Sequence, residues 1–187
     1  MKPRHAGFTL PELLITLAVA GIVATLAAPP IANLMREAQL TTTINSFAGA
    51  LRAARSEAVT RRQWVRLCTA DATGCVTDAA GWEAGWLMFV DVNRDGDCQD
   101  ADGDLACDGA DDGGEIIRRG AALPAGYLLR GNSQLDDTVT FRDDGTSRGT
   151  PGSIFLCLNA TDPASRRLVL ANSGRLRLEE DPAQTCP

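Results

Sequence analysis

The sequence predicts an α+β protein: one long N-terminal helix, membrane-spanning in its first half and amphipathic in its second, packed on a C-terminal β-sandwich-like head. Three observations predict it. An apolar run covers residues 8–28, helical spacing of apolar residues resumes after it as far as about residue 62, and short β-type runs separated by turn residues follow. The 187 residues suffice for one ordinary domain with a real core.

Residues 1–7 form a short polar start carrying Lys2 and Arg4, read as a leader removed from the mature chain. From Phe8 to Ala28 the chain is apolar, and ~20 apolar residues suffice to cross a bilayer core as a helix. The basic residues ahead of it place the leader in the cytoplasm and the remainder outside. Two residues depart from an ordinary secretory signal. Pro11 and Glu12 lie inside the apolar run, where an ionised carboxylate costs several kcal/mol unless it is paired.

Pro29 and Pro30 are expected to kink or break the helix. The 29–62 segment then reads as amphipathic. Ile31, Leu34, Met35 and Ala38 are spaced by three and four, as are Ile44, Phe47, Ala48, Leu51, Ala54 and Ala58. Arg52, Arg55, Glu57 and Arg61 occupy the opposite face, where the arginines are expected to meet neighbouring molecules.

Residues 63–187 form the head. Strands are expected at 64–68, 86–90, 115–119, 127–130, 138–142, 153–158, 167–171 and 175–179. Trp86-Leu-Met-Phe-Val90 is nearly continuous and hence expected to be buried, and Asp143-Asp-Gly145, Asp162-Pro163 and Asn172-Ser-Gly174 supply turns.

Charge is unevenly spread. The net charge is −6, yet residues 91–112 alone hold nine Asp and one Arg. Lys2 is the only lysine against seventeen arginines, so a basic patch elsewhere is compatible with the acidic total. Within the acidic loop, Asp91-x-Asn93-x-Asp95-Gly96-Asp97 repeats the first half of a calcium loop, with oxygen ligands at alternate positions and a glycine for the sharp turn. Asp102 stands at the twelfth position, where the shorter acid replaces the usual Glu, and Asp100, Asp102 and Asp104 offer a second set. Calcium is the one cofactor candidate; the bland alternative is a solvated Asp/Gly loop.

Six cysteines follow the apolar segment: Cys68, Cys75, Cys98, Cys107, Cys157 and Cys186. An even number in an exported domain points to disulfides, with ~15 pairings open to six cysteines. Nearest-neighbour pairing is favoured, because turn residues separate each pair. The only histidine, His5, lies in the leader, which removes histidine-based triads and the usual zinc sites from the mature chain. No phosphate-cradling glycine loop is present, and the expectation is a non-enzyme.

Gly7-Phe-Thr-Leu-Pro-Glu-Leu-Leu14 resembles the prepilin leader of type IV pilins and type II secretion pseudopilins. The resemblance implies a type IV pilin-like fold, cleavage after Gly7 by a prepilin peptidase and N-methylation of Phe8. It implies that Glu12 meets the terminal amine of a neighbouring pilin or pseudopilin subunit, and that the head stands in the periplasm on a single inner-membrane pass before entering a filament. Segments of the head are similar to the GspH/FimT branch: Arg55 to Ala58, Gly85-Trp86 with Phe89-Val-Asp91 and Asn93-Arg-Asp-Gly96, Phe141 to Gly145, and Ser173 to Arg177. In FimT-like minor pilins a Gly-Arg-x-Arg element is associated with binding double-stranded DNA in natural transformation, and Gly174-Arg-Leu-Arg177 matches it. Arg166 and Arg167 would join Arg175 and Arg177 around that turn, while Glu179, Glu180 and Asp181 oppose an anion there. Two alternatives stand beside DNA binding: a purely structural pseudopilin that initiates assembly for protein secretion, and a secreted calcium-binding protein.

Overall fold

The computed structural model describes residues 9–76, 81–108, 113–147, 151–158 and 165–180, and the side chains of these except at 25–33, 165 and 180. The chain divides into two compact units, residues 1–39 and 40–187.

One helix, α1 (Leu10–Arg61), is assigned continuously from the first unit into the second. The break expected at Pro29-Pro30 is absent. Adjacent prolines delete two hydrogen bonds, but their fixed φ is itself helical and the chain carries on. In the first unit Glu12 occupies the first turn, where a carboxylate complements the helix dipole. Apolar side chains from Leu10 to Val23 are exposed, Leu10 by 74% and Leu17 by 63%. Leu34 and Met35, expected on a buried stripe, are exposed as well.

Burial on α1 begins at Leu40 and continues through Ile44, Phe47, Ala48, Leu51, Ala54 and Ala58, the three-and-four spacing of a core-facing helix. The helix stops where Arg62 takes a left-handed conformation, φ 56°, and the Gln63 N–H donates back to the Ala58 carbonyl at 3.2 Å. That bond closes a Schellman-type end.

Among the described residues eight strands follow: β1 (Val65–Thr69), β2 (Trp86–Val90), β3 (Ile116–Gly120), β4 (Tyr127–Gly131), β5 (Thr138–Phe141), β6 (Gly152–Leu158), β7 (Ser165–Leu170) and β8 (Leu176–Glu180). They form two antiparallel four-stranded sheets, ordered β3-β2-β1-β5 and β4-β6-β7-β8. The main core joins the helix residues from Leu40 onward to Val65, Leu67, Met88, Val139 and Phe141 of one sheet and Leu129, Ile154, Leu156, Leu168 and Leu170 of the other. Trp82, in a single 3₁₀ turn (Trp82–Ala84), fills its centre. Its indole N–H donates to the Leu135 carbonyl at 2.9 Å, and its ring meets Phe47 edge-on at 5.3 Å.

A second cluster lies on the far face of the first sheet, where Cys68, Ala70, Leu87, Phe89 and Ile116 pack with Cys98 and Cys107. The acidic segment is therefore no free loop. Its cysteines fold it back as a cover, and β1 and β2 are buried on both faces. Disulfides join Cys68 to Cys75 and Cys98 to Cys107, as nearest-neighbour pairing expects. Cys157 is disulfide-bonded too, and Cys186 lies outside the described residues.

Candidate functional site

The arginine-bearing hairpin forms as β7 and β8. Leu168 pairs with Leu178 and Leu170 with Leu176, turning the leucines inward. Val169 pairs with Arg177 and Arg167 with Glu179 on the outer face. The connecting turn closes through Gly174 N–H to Ala171 O at 2.8 Å and Ala171 N–H to Arg175 O at 3.0 Å. Gly174 has φ +74°, and a Cβ there would sit 2.2 Å from the Gly145 carbonyl oxygen. Only glycine fits this position comfortably.

The four expected arginines are not equivalent. Arg175 is exposed and has no acidic partner among the described residues. Arg177 is exposed but ion-paired with Glu179. Arg167 donates from Nε to Ser153 Oγ at 3.1 Å, lies 5.6 Å over the Phe155 ring, and meets Glu179 at 3.7 Å. Arg166 is buried on the inner face with Leu168 and Leu170, away from the other three. β-Alternation sends neighbours 166 and 167 to opposite faces.

A residue not expected at this turn holds it in place. Arg55 of α1 donates from Nε to the Gly145 carbonyl at 2.8 Å and from Nη2 to the Ser173 carbonyl at 3.1 Å. It joins two turns to the helix and is spent within the head, whereas Arg52, one turn earlier, stays exposed.

The acidic loop places its carboxylates differently from the calcium expectation. Asp91, expected as first ligand, is buried and ion-paired with Arg66 at 2.8 Å. A Cβ on Gly96 would lie 1.7 Å from Arg66 Nη1, so the loop's glycine serves to close the chain over that guanidinium. Asn93 donates to Asp95 at 2.8 Å, and Asp97 accepts from the Cys98 N–H and Gln99 Nε2, each at 2.9 Å. Asp102 accepts from the Asp104 N–H at 3.1 Å. Among the described residues the carboxylates that converge are Asp100, Asp102 and Asp108, with oxygens within 4.8 Å of one another, Asp108 standing where Asp104 was expected. Asp100 is already held by Arg119, which keeps its carboxyl below the usual carboxylate range.

At the other end, Glu12 is exposed among the apolar side chains of α1, while Gly7 and Phe8 lie outside the described residues. Among the described residues no helix is long and apolar enough to cross a membrane. The expected span runs from residue 8 to 28, of which residue 8 and the side chains of 25–28 lie outside the described part.

Comparison with known families decides the identity. A profile described as type II transport protein GspH matches residues 43–174, and one described as the prokaryotic N-terminal methylation motif matches residues 2–28. The chain belongs to the GspH family.

This GspH-family chain is similar in fold to the type IV minor pilin FimU of Pseudomonas aeruginosa strain PAO1. One crystal form gives 19% identity and a TM-score of 0.57, covering 82% of this chain and 96% of FimU. A second crystal form gives 20% and 0.55, covering 79% and 97%. The minor pseudopilin EpsH of the Vibrio cholerae type 2 secretion system matches at 14% and 0.46, over 78% of this chain and 98% of EpsH. No curated protein matches the sequence. As a GspH-family member with a methylation motif, the chain is a minor pilin or pseudopilin, a class of filament subunits rather than enzymes.

Proposed function

We propose that the chain is a membrane-anchored minor subunit of a type IV pilus or type II secretion filament. A prepilin peptidase cuts it after Gly7, and it crosses the inner membrane once with its head in the periplasm. The observation that carries this reading is the row of exposed apolar side chains from Leu10 to Val23 around a single carboxylate, Glu12. So much bare apolar surface requires lipid or neighbouring subunits to cover it, and a lone carboxylate there requires a cation such as a neighbour's terminal amine. Mass analysis of the protein recovered from membranes tests it. The expected N-terminus is methylated Phe8; a terminus past Ala28 overturns the reading.

A second reading is favoured by one observation, the exposed and acid-free Arg175 on a turn that two hydrogen bonds hold closed. In this reading the subunit binds double-stranded DNA at the Gly174-Arg-Leu-Arg177 turn and serves in natural transformation. Guanidinium suits phosphate better than ammonium does, because its planar fork can donate two bonds at once. Binding is expected to be weak, roughly 10⁻⁴ to 10⁻⁶ M, indifferent to sequence and steeply reduced by salt. Arg175→Gln is expected to weaken it and to lower transformation while filaments persist. A parent protein that fails to bind a duplex at low salt overturns this reading and leaves the first intact.

A further inference from the structure

The turn that carries Arg175 faces a stretch of α1, and between them is an open cleft of about 530 Å³. Its polar lining comes from Arg52, Arg55, Ser56 and Thr60 on the helix side and from Gly174 and Arg175 on the turn side. Arg52, Ser56 and Thr60 follow one another at intervals of four, so they form a single row along the helix. Arg55 is spent within the protein, its Nε and Nη2 both given to backbone carbonyls. Arg52 and Arg175 are exposed and have no acidic partner among the described residues. The nearby carboxylates are turned elsewhere: Glu57 to Arg61 at 2.7 Å, and Asp144 to the N–H and hydroxyl of Thr146 at 2.8 and 2.6 Å.

We propose that this cleft seats a backbone phosphate of double-stranded DNA between Arg52 of the helix and Arg175 of the turn, and that Arg177 is not one of the contacting pair. The inference rests on the DNA-binding reading above and changes which arginines carry it. The cleft has a cation on each wall and hydroxyls along one side. It is open rather than enclosed, which suits an anionic group borne on a long polymer better than a small ligand needing burial on all sides. Arg177 is paired with Glu179, whose carboxylate offsets its charge at the turn and weakens its pull on a phosphate. Arg55 supplies placement: it fixes the Ser173 carbonyl, and with it the distance of Arg175 from the helix.

Each phosphate neutralised by a free arginine contributes ~0.9 to the log–log dependence of affinity on salt. The test uses the full chain in neutral detergent with a short random-sequence duplex, titrated over a range of salt. Arg52→Gln and Arg175→Gln are each expected to weaken binding at low salt and together to flatten the slope by ~0.9, the contribution of the one phosphate they share, while Arg177→Gln changes it by less than half that step. Arg52→Lys is expected to keep the parent slope. Because Arg52 is exposed, Arg52→Gln should melt with the parent, which separates loss of contact from loss of fold. If Arg52→Gln binds as the parent does and Arg177→Gln flattens the slope, the cleft proposal falls while DNA binding at the turn stands. If the parent binds no duplex at low salt, the underlying reading falls and takes this one with it.

Discussion

Arg55 shows how one side chain can organise residues remote in sequence. Its two bonds reach across 90 and 118 positions, so no local pattern could have placed it under the turn. Helical periodicity put it on the polar face, and that much was correct. Removing it leaves two backbone carbonyls without their charged donor, and Arg55→Ala is expected to cost about 1–3 kcal/mol, read from the denaturant midpoint. Arg55→Lys should recover only part, since one ammonium cannot reproduce the two-pronged geometry. Gly174 gives a second prediction. Its positive φ and the Gly145 carbonyl 2.2 Å from any added Cβ oppose a side chain, so Gly174→Ala should destabilise by about 1–2 kcal/mol or more. The glycine was legible in the sequence through its motif; the carbonyl that makes it necessary was not. Arg166 was misplaced because adjacent arginines look alike in sequence, although a strand sends them to opposite faces.

At the level of elements, all eight strands could be read from alternation and turn residues, with ends off by one or two positions. Sheet order could not, because pairing β1 with both β2 and β5 depends on contacts distant along the chain. Trp82 escaped notice because a three-residue 3₁₀ turn has no periodicity to detect. The acidic loop was legible as charge, as a calcium-like spacing and as a Cys98–Cys107 pair, but its role as a cover was not, because that depends on where the two cysteines pack against Leu87 and Phe89. Two predictions follow from that cover. Replacing Cys98 and Cys107 together by Ser should cost about 2–3 kcal/mol, measured by chemical unfolding against the parent. The ion pair of Asp100 with Arg119 makes the cover acid-sensitive, because the folded state holds the Asp100 carboxyl below its ordinary range. A lowered folded-state pKa gives stability that is present above the unfolded value and lost as pH falls through the folded one. Melting temperature should therefore drop below about pH 4, and less steeply in Asp100→Asn.

For the whole molecule, the leader motif was the most legible feature, since a glycine–aromatic junction ahead of a carboxylate in an apolar helix carries its meaning in a few residues. Gly7→Val is expected to leave the precursor uncut, seen as an unshifted band in membrane fractions; Glu12→Ala should be cut yet enter filaments poorly. The exposed apolar surface among the described residues is concentrated on α1 between Leu10 and Met35, while Leu87, Phe89 and Ile116 are shut beneath the acidic segment. Without that segment, the first sheet would offer a second greasy face, and a protomer with two such surfaces can associate in orders that no filament uses. The loop thus acts as a stopper that the subunit brings with it, sealed by oxidation. A head kept under reducing conditions should accordingly fail by clumping through its sheet, at concentrations where the oxidised head stays dispersed, before it fails by unfolding.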